Sequence, residues 1–74
     1  MGRLAGFKYK DVARKLRTLG FQFDRQARGS HEIWRHGESG RKATLVRHPR
    51  PLAEGTLRAI LREAEIDVDE FLRV

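Results

Sequence analysis

A histidine at position 31 stands among arginines, and these side chains together can do acid–base chemistry on a phosphodiester. They lie in the stretch RQARGSHEIWR. An imidazole is the side chain best suited to accept a proton near neutral pH. Guanidinium groups hold phosphate oxygens through paired hydrogen bonds, and Arg25, Arg28 and Arg35 surround His31 in the sequence. We therefore hypothesise a surface site that cleaves RNA, whose own 2′-hydroxyl is the nucleophile, without a cofactor.

The alternative interpretation of His31 is a half-exposed strand residue with no chemical role, and the spacing alone leaves both open. The other two histidines, His36 and His48, fall in a predicted hairpin loop and in a proline-containing loop. A zinc site needs ligands that converge. The chain has no cysteine and no HxxxH pair, so we expect no metal site, and we expect His36 to be solvated.

The first predicted helix carries basic residues on its outer face. Lys10, Arg14 and Arg17 are spaced four and three apart and share one side. Such a face often does no more than keep a small domain soluble, but its single sign favours contact with phosphates. Trp34 is either a core residue or a platform on which bases stack, and we expect it in the core.

The charge distribution points to a polyanionic partner. The net charge is +6 and the pI about 10.8. Residues 1–50 hold thirteen Lys and Arg against four Asp and Glu, whereas residues 51–74 hold three against six. This favours nucleic acid over a membrane surface, and no run of about 18 apolar residues exists that could span a bilayer. The absence of cysteine suits the cytoplasm, which is the expected location.

Hydrophobic periodicity predicts an α+β domain. The segment YKDVARKLRTLGF carries one apolar stripe and predicts a helix that stops at Gly20. Three strands follow, with the sequences FQFDRQ, HEIWR and RKATLV, separated by ARGS and HGESG. A second helix begins near Glu54 or Thr56, and Asp67 with Glu70 forms a capping box that opens a short last helix.

This order predicts a three-stranded antiparallel sheet with both helices on one face and water on the other. Alternation along a strand puts Ile33 on the side of His31 and Arg35, and Trp34 on the opposite side. Phe21 and Phe23 are expected on one half-buried face of the first strand. We expect residues 1–74 to form a single domain with a small core.

Four segments occur in this order along the chain: LRTLGF, RGSHEIW, TLVRH, and GTLRAILREAEI with a later DEF. This is the order found in the HicA family of toxin–antitoxin mRNA interferases, which the chain resembles from about Lys8 to Phe71. The resemblance implies a double-stranded-RNA-binding-domain-like fold and ribonuclease activity on mRNA, with His31 essential. It also implies a HicB-type antitoxin that covers the active site. Val46 stands where many relatives have proline, which leaves open whether His48 takes part in cleavage or lines the groove. Glu65 stands where many relatives have glycine, a difference that we interpret as structural.

The sequence thus predicts a metal-independent RNA endonuclease without cofactor, the toxin of a toxin–antitoxin pair, with His31 as general base. The residues expected to bind RNA are Lys10, Arg14, Arg17, Arg25, Arg28, Ser30, Arg35, Arg47 and His48. The alternatives are a non-catalytic RNA-binding module of the same fold and a protein whose basic face binds an acidic protein.

Overall fold

The computed structural model describes residues 2–74. Its elements are α1 (Tyr9–Thr18), β1 (Phe21–Gln26), β2 (His31–His36), β3 (Lys42–Val46), α2 (Glu54–Ala64) and α3 (Val68–Arg73). The strands form one antiparallel sheet in the order β1-β2-β3. The predicted α+β fold, with a double-stranded-RNA-binding-domain-like order of elements and a short last helix, is confirmed.

The ends of α1 and α3 follow the predicted signals, but of the predicted capping box at α3 the Asp67 half alone forms. Gly20 takes a φ of +95° directly after α1, a conformation that side chains with a Cβ rarely adopt, and this turns the chain into β1. The Asp67 carboxylate accepts hydrogen bonds from the backbone N–H groups of Asp69 and Glu70, which caps α3. The side chain of Phe71 then enters the core.

The core lies between the helices and one face of the sheet. Trp34 is 1% exposed and belongs to the core, as predicted. Ile33 faces the other way and is 7% exposed without joining that core. The core residues share full or nearly full burial, and all but Leu4 and Ile66 lie in helices or strands: Leu4, Val12, Ala13, Leu16, Phe21, Trp34, Ala43, Leu45, Leu57, Ile60, Leu61, Ala64, Ile66 and Phe71.

Two expectations were wrong. Phe23 is 52% exposed. It lies in β1, an outer strand whose residues beyond Phe21 are all exposed. Its ring packs edge-to-face with the Trp34 ring, with centroids 6.2 Å apart. A bulge follows it in the strand. His36 is not a solvated loop residue: its ring packs on Phe21 with centroids 5.2 Å apart, and its Nδ1 accepts the N–H of Ser39.

The other face of the sheet, the open face, carries exposed or half-buried side chains as expected, except for Ile33, which is buried. Helix α2 runs along the outer edge of β3, where the Glu63 carboxylate accepts hydrogen bonds from the backbone N–H and the hydroxyl of Thr44, at 2.9 and 3.2 Å. The open face carries His31 and Arg35, which pair with Val46 and Lys42 of β3. In the part of the chain that the structure describes, every helix is too short or too polar to cross a membrane.

Candidate active site

The turn between β1 and β2 fixes the backbone of His31. The N–H of Ala27 donates to the His31 carbonyl at 2.8 Å, and the Gln26 side-chain amide donates to the carbonyls of Gly29 and His31, each at 2.9 Å. Gly29 adopts a φ of +61° and has open space around it. The short turn therefore presents the first residue of β2 in one orientation.

The His31 ring is exposed, and its hydrogen bond selects one tautomer. The Nδ1 atom lies 3.1 Å from the carbonyl oxygen of Arg28. A carbonyl oxygen accepts and does not donate, so in the neutral ring Nδ1 carries the hydrogen and Nε2 keeps its lone pair. The site thus offers Nε2 as the proton-accepting atom of a ring that solvent reaches.

Two open grooves meet at His31 on the uncovered face of the sheet. One, of about 550 Å³, runs along the turn that contains Arg28 and Ser30. The other, of about 640 Å³, runs towards the first turns of α2 and includes Thr56. Both share Thr44 and Val46 with His31. An extended ligand can therefore pass over the ring from either side.

Further cations lie on the same face as His31. Arg25 and Arg35 both contact the carboxylate of Asp24, at 2.7 and 3.5 Å, and all three side chains are well exposed. Exposed ion pairs of this kind contribute little to stability, so a phosphate can replace the carboxylate as the partner of either guanidinium at small cost.

On the helical side of the sheet, a buried carboxylate holds a second group of polar side chains. Glu32 is 2% exposed and accepts hydrogen bonds from the Tyr9 hydroxyl at 2.7 Å and from the indole N–H of Trp34 at 3.1 Å. The exposed Arg47 guanidinium lies 3.7 Å from the other oxygen of this carboxylate and 5.3 Å from the Tyr9 ring centroid. Arg17 covers the ring of Trp34 at 5.2 Å.

The predicted RNA-binding residues are all exposed, but they occupy two surfaces. Arg25, Arg28, Ser30 and Arg35 lie on the open face or on the turn beside His31. The others, apart from His48, lie on the helical side or on the outer face of α1: Lys10, Arg14, Arg17 and Arg47. His48 lines a cleft with Lys10 and Arg47 that has no lining residue in common with the grooves at His31. It also lines a further groove, which shares Val46 and Thr56 with one of the grooves at His31.

Sequence reasoning missed Glu32, Tyr9 and Gln26. Glu32 carried a usable signal, because alternation already placed it on the same side as Trp34, and a carboxylate on a core face requires hydrogen-bond donors. Gln26 acts by donating hydrogen bonds to the backbone carbonyls of Gly29 and His31, and no sequence pattern predicts such contacts.

The Tyr9–Glu32 contact predicts a shifted alkaline titration. Burial is the largest cause and the hydrogen bond to Glu32 the next, and together they raise the pKa of Tyr9 above its ordinary 10.0. Because the chain has a single tyrosine, tyrosinate absorbance against pH reports this group alone. We expect a midpoint above 10.0 in the native protein, and a midpoint closer to 10.0 in Glu32→Gln.

The sign of the linked stability change follows from the same shift. The folded state favours the neutral phenol, so this contribution is complete below pH 10.0 and is lost as the pH rises through the folded pKa. Glu38→Gln, in an exposed loop, is the matched control and should leave the midpoint unchanged. A native midpoint at or below 10.0 would show that the hydroxyl is not held by Glu32.

Among residues 2–74, no cluster of three or more His, Asp or Glu side chains is arranged to hold a metal ion. Residues 9–66 match the family model described as the HicA toxin of bacterial toxin–antitoxin systems. A comparison with curated proteins finds no match.

Proposed function

This chain belongs to the HicA family of bacterial toxins, and from that membership we propose that it is a metal-independent RNA endonuclease, an mRNA interferase, with His31 as its general base. The chain is the toxin of a toxin–antitoxin system. The observation that carries the proposal is the exposed His31 ring, whose Nδ1 is engaged by the Arg28 carbonyl and whose Nε2 is left basic.

The proposed step needs one base and a held phosphate. Nε2 of His31 removes the proton of a 2′-hydroxyl, and the 2′-oxygen attacks the adjacent phosphorus. The P–O2′ bond forms as the P–O5′ bond breaks, and the leaving 5′-oxygen takes a proton from water. The products are a 2′,3′-cyclic phosphate and a 5′-hydroxyl. A positioned general base contributes about 10²–10⁴ to such a rate.

Guanidinium groups on the open face supply positive charge, which offsets the negative charge that develops on the phosphate in this step. Arg28 lines the same groove as His31, and Arg25 and Arg35 lie on that face, paired with an exposed carboxylate. Negative charge that accumulates on the phosphoryl oxygens in the transition state is stabilised by such fixed cations. In this proposal these side chains bind the RNA backbone and read no base.

The proposed partner that restrains the toxin is a HicB-type antitoxin. The basic and exposed surface around His31 would attract acidic side chains as readily as phosphates, so carboxylates of the antitoxin would compete with RNA for the same arginines. The chain would then act where its mRNA substrate is, in the cytoplasm, as one domain over residues 1–74.

Cleavage of a synthetic RNA in the presence of a chelator tests the reaction class. We expect products with 2′,3′-cyclic phosphate ends, and no cleavage of the same oligonucleotide with a 2′-deoxy residue at the cut site, because the nucleophile is then missing. Equal cleavage of both substrates would refute the mechanism. Retained, salt-dependent binding without any cleavage would instead support the non-catalytic RNA-binding module.

A further inference from the structure

A second cleft lies on the helical side of the sheet, between the start of α1 and the chain that follows β3. Its volume is about 420 Å³, and its lining combines cationic side chains with flat apolar surfaces. The lining residues are Lys8, Tyr9, Lys10, Arg47, His48 and Pro49. No carboxylate lines it among the residues that the structure describes.

Arg47 is oriented in this cleft by the buried Glu32 carboxylate and the half-buried Tyr9 ring. Its guanidinium lies between the Tyr9 ring and the Glu32 carboxylate, whose side chain is 3% exposed and is itself held by two hydrogen bonds. The Arg47 side chain remains 72% exposed, so part of it is oriented by these contacts while the rest stays free for a ligand. An arginine held in this way loses less conformational entropy on binding an anion than a free one.

The start of β2 pairs with the end of β3, and at this place Arg47 of the cleft and His31 lie on opposite sides of the sheet. His31 pairs with Val46, and the N–H of Arg47 donates to the Ser30 carbonyl at 2.9 Å. Alternation directs Val46 to the side of His31 and Arg47 to the opposite side. The Cα atoms of His31 and Arg47 are therefore within about 9 Å of one another.

We propose that this cleft is a second phosphate-binding subsite, which holds a phosphodiester of the same RNA strand whose scissile bond lies at His31. The RNA strand passes over the edge of the sheet that the start of β2 and the end of β3 form. His48 lines both this cleft and the further groove that shares lining residues with one of the grooves at His31, so in this proposal it binds the RNA between the two sites and takes no part in cleavage. Lys8 and Tyr9 join the binding residues. This inference rests on the proposed ribonuclease function.

The lining favours a nucleotide over an acidic peptide. A nucleotide presents both an anion and a flat base, and the cleft offers three cations beside the apolar faces of Tyr9 and Pro49. Aromatic and cationic surfaces in combination are the usual means of holding a single strand without reading its sequence. A carboxylate side chain would use the cations and leave the flat surfaces uncovered.

The test measures binding of a non-cleavable 2′-O-methyl RNA by fluorescence anisotropy over a range of salt concentrations. Arg47→Ala and Lys10→Ala should each weaken binding of a strand longer than the His31 groove by about three- to tenfold. Each should also reduce the slope of log affinity against log salt by about 0.7. A dinucleotide, which fills just the His31 groove, should bind both variants as it binds the native chain.

Arg62→Ala is the matched control, since Arg62 is an exposed cation in the last turn of α2 and lies outside this cleft. Circular dichroism and Trp34 fluorescence check folding, and Lys10→Ala, at an exposed helix position, covers the case in which Arg47→Ala disturbs Glu32. The proposal is overturned if Arg47→Ala and Lys10→Ala bind the long strand as tightly as Arg62→Ala does. It is also overturned if these two variants lose as much affinity for the dinucleotide as for the long strand, or if they lose affinity for the antitoxin and none for RNA. Cleavage that proceeds unchanged in His31→Ala would overturn the ribonuclease mechanism and leave the subsite standing.

Discussion

Replacing His31 by alanine should abolish most cleavage while RNA binding is kept. Removing a positioned general base lowers the rate by about 10²–10⁴, and the substitution leaves in place the arginines that we propose bind the RNA backbone. The rate is measured on labelled RNA in a single turnover, and the affinity on the 2′-O-methyl analogue. His31 is exposed and is not part of the hydrophobic core, so the variant should unfold at the same temperature as the native chain.

The other exposed histidine supplies the matched control. His48→Ala removes an imidazole from the second cleft, and we expect it to weaken binding and to leave the single-turnover rate at saturating RNA unchanged. If His48→Ala lowered that saturating rate as much as His31→Ala does, both histidines would act in the chemical step. If His31→Ala cut RNA at the native rate, the base would have to be sought elsewhere.

Of the proposed substitutions, Glu32→Ala should cause the largest loss in the free energy of unfolding. The change leaves the indole N–H of Trp34 and the Tyr9 hydroxyl without their acceptor. A buried group without a partner costs about 1–3 kcal/mol, and the half-buried Tyr9 hydroxyl costs less than the buried indole N–H, so we expect a loss of about 2–4 kcal/mol in the free energy of unfolding. For a domain of this size that lowers Tm by about 10–25 °C. Fluorescence of Trp34, the single tryptophan, follows the transition.

Two further variants separate the hydrogen bonds from the charge. Glu32→Gln keeps one carbonyl oxygen as acceptor for both donors and should lose less than half as much stability as Glu32→Ala. Glu38→Ala, in the exposed loop between β2 and β3, should change the free energy of unfolding by less than about 0.5 kcal/mol. A Glu32→Ala variant as stable as Glu38→Ala would show that water replaces the carboxylate without cost.

The fold could be predicted from the sequence because its signals are local. The segment FQFDRQ coincides with β1, since Gly20 ends the helix before it and the ARGS turn ends the strand. Alternation also assigned Ile33 and Trp34 to opposite sides of β2. It did not state which side faces the helices, because both residues are large and apolar and the choice depends on packing against α1 and α2.

The division of the site into two surfaces could not be predicted. His48 and His31 are brought close by the pairing of β2 with β3, but the chain after Val46 turns towards the start of α1, where the N–H of Leu52 donates to the Phe7 carbonyl at 2.8 Å. That contact joins distant parts of the chain and leaves no periodic pattern. The contacts of Arg47 with the Glu32 carboxylate and the Tyr9 ring depend on the same course of the chain after Val46.

The outer edge of β1 pairs with no other strand among residues 2–74. Exposed strand edges invite association with a second molecule and lead to aggregation. Here the bulge between Phe23 and Arg25 interrupts the regular spacing of the free backbone groups, and the charged side chains of Asp24 and Arg25 flank it. A toxin released from its antitoxin is thereby protected against forming intermolecular sheets, even with the Phe23 ring in water.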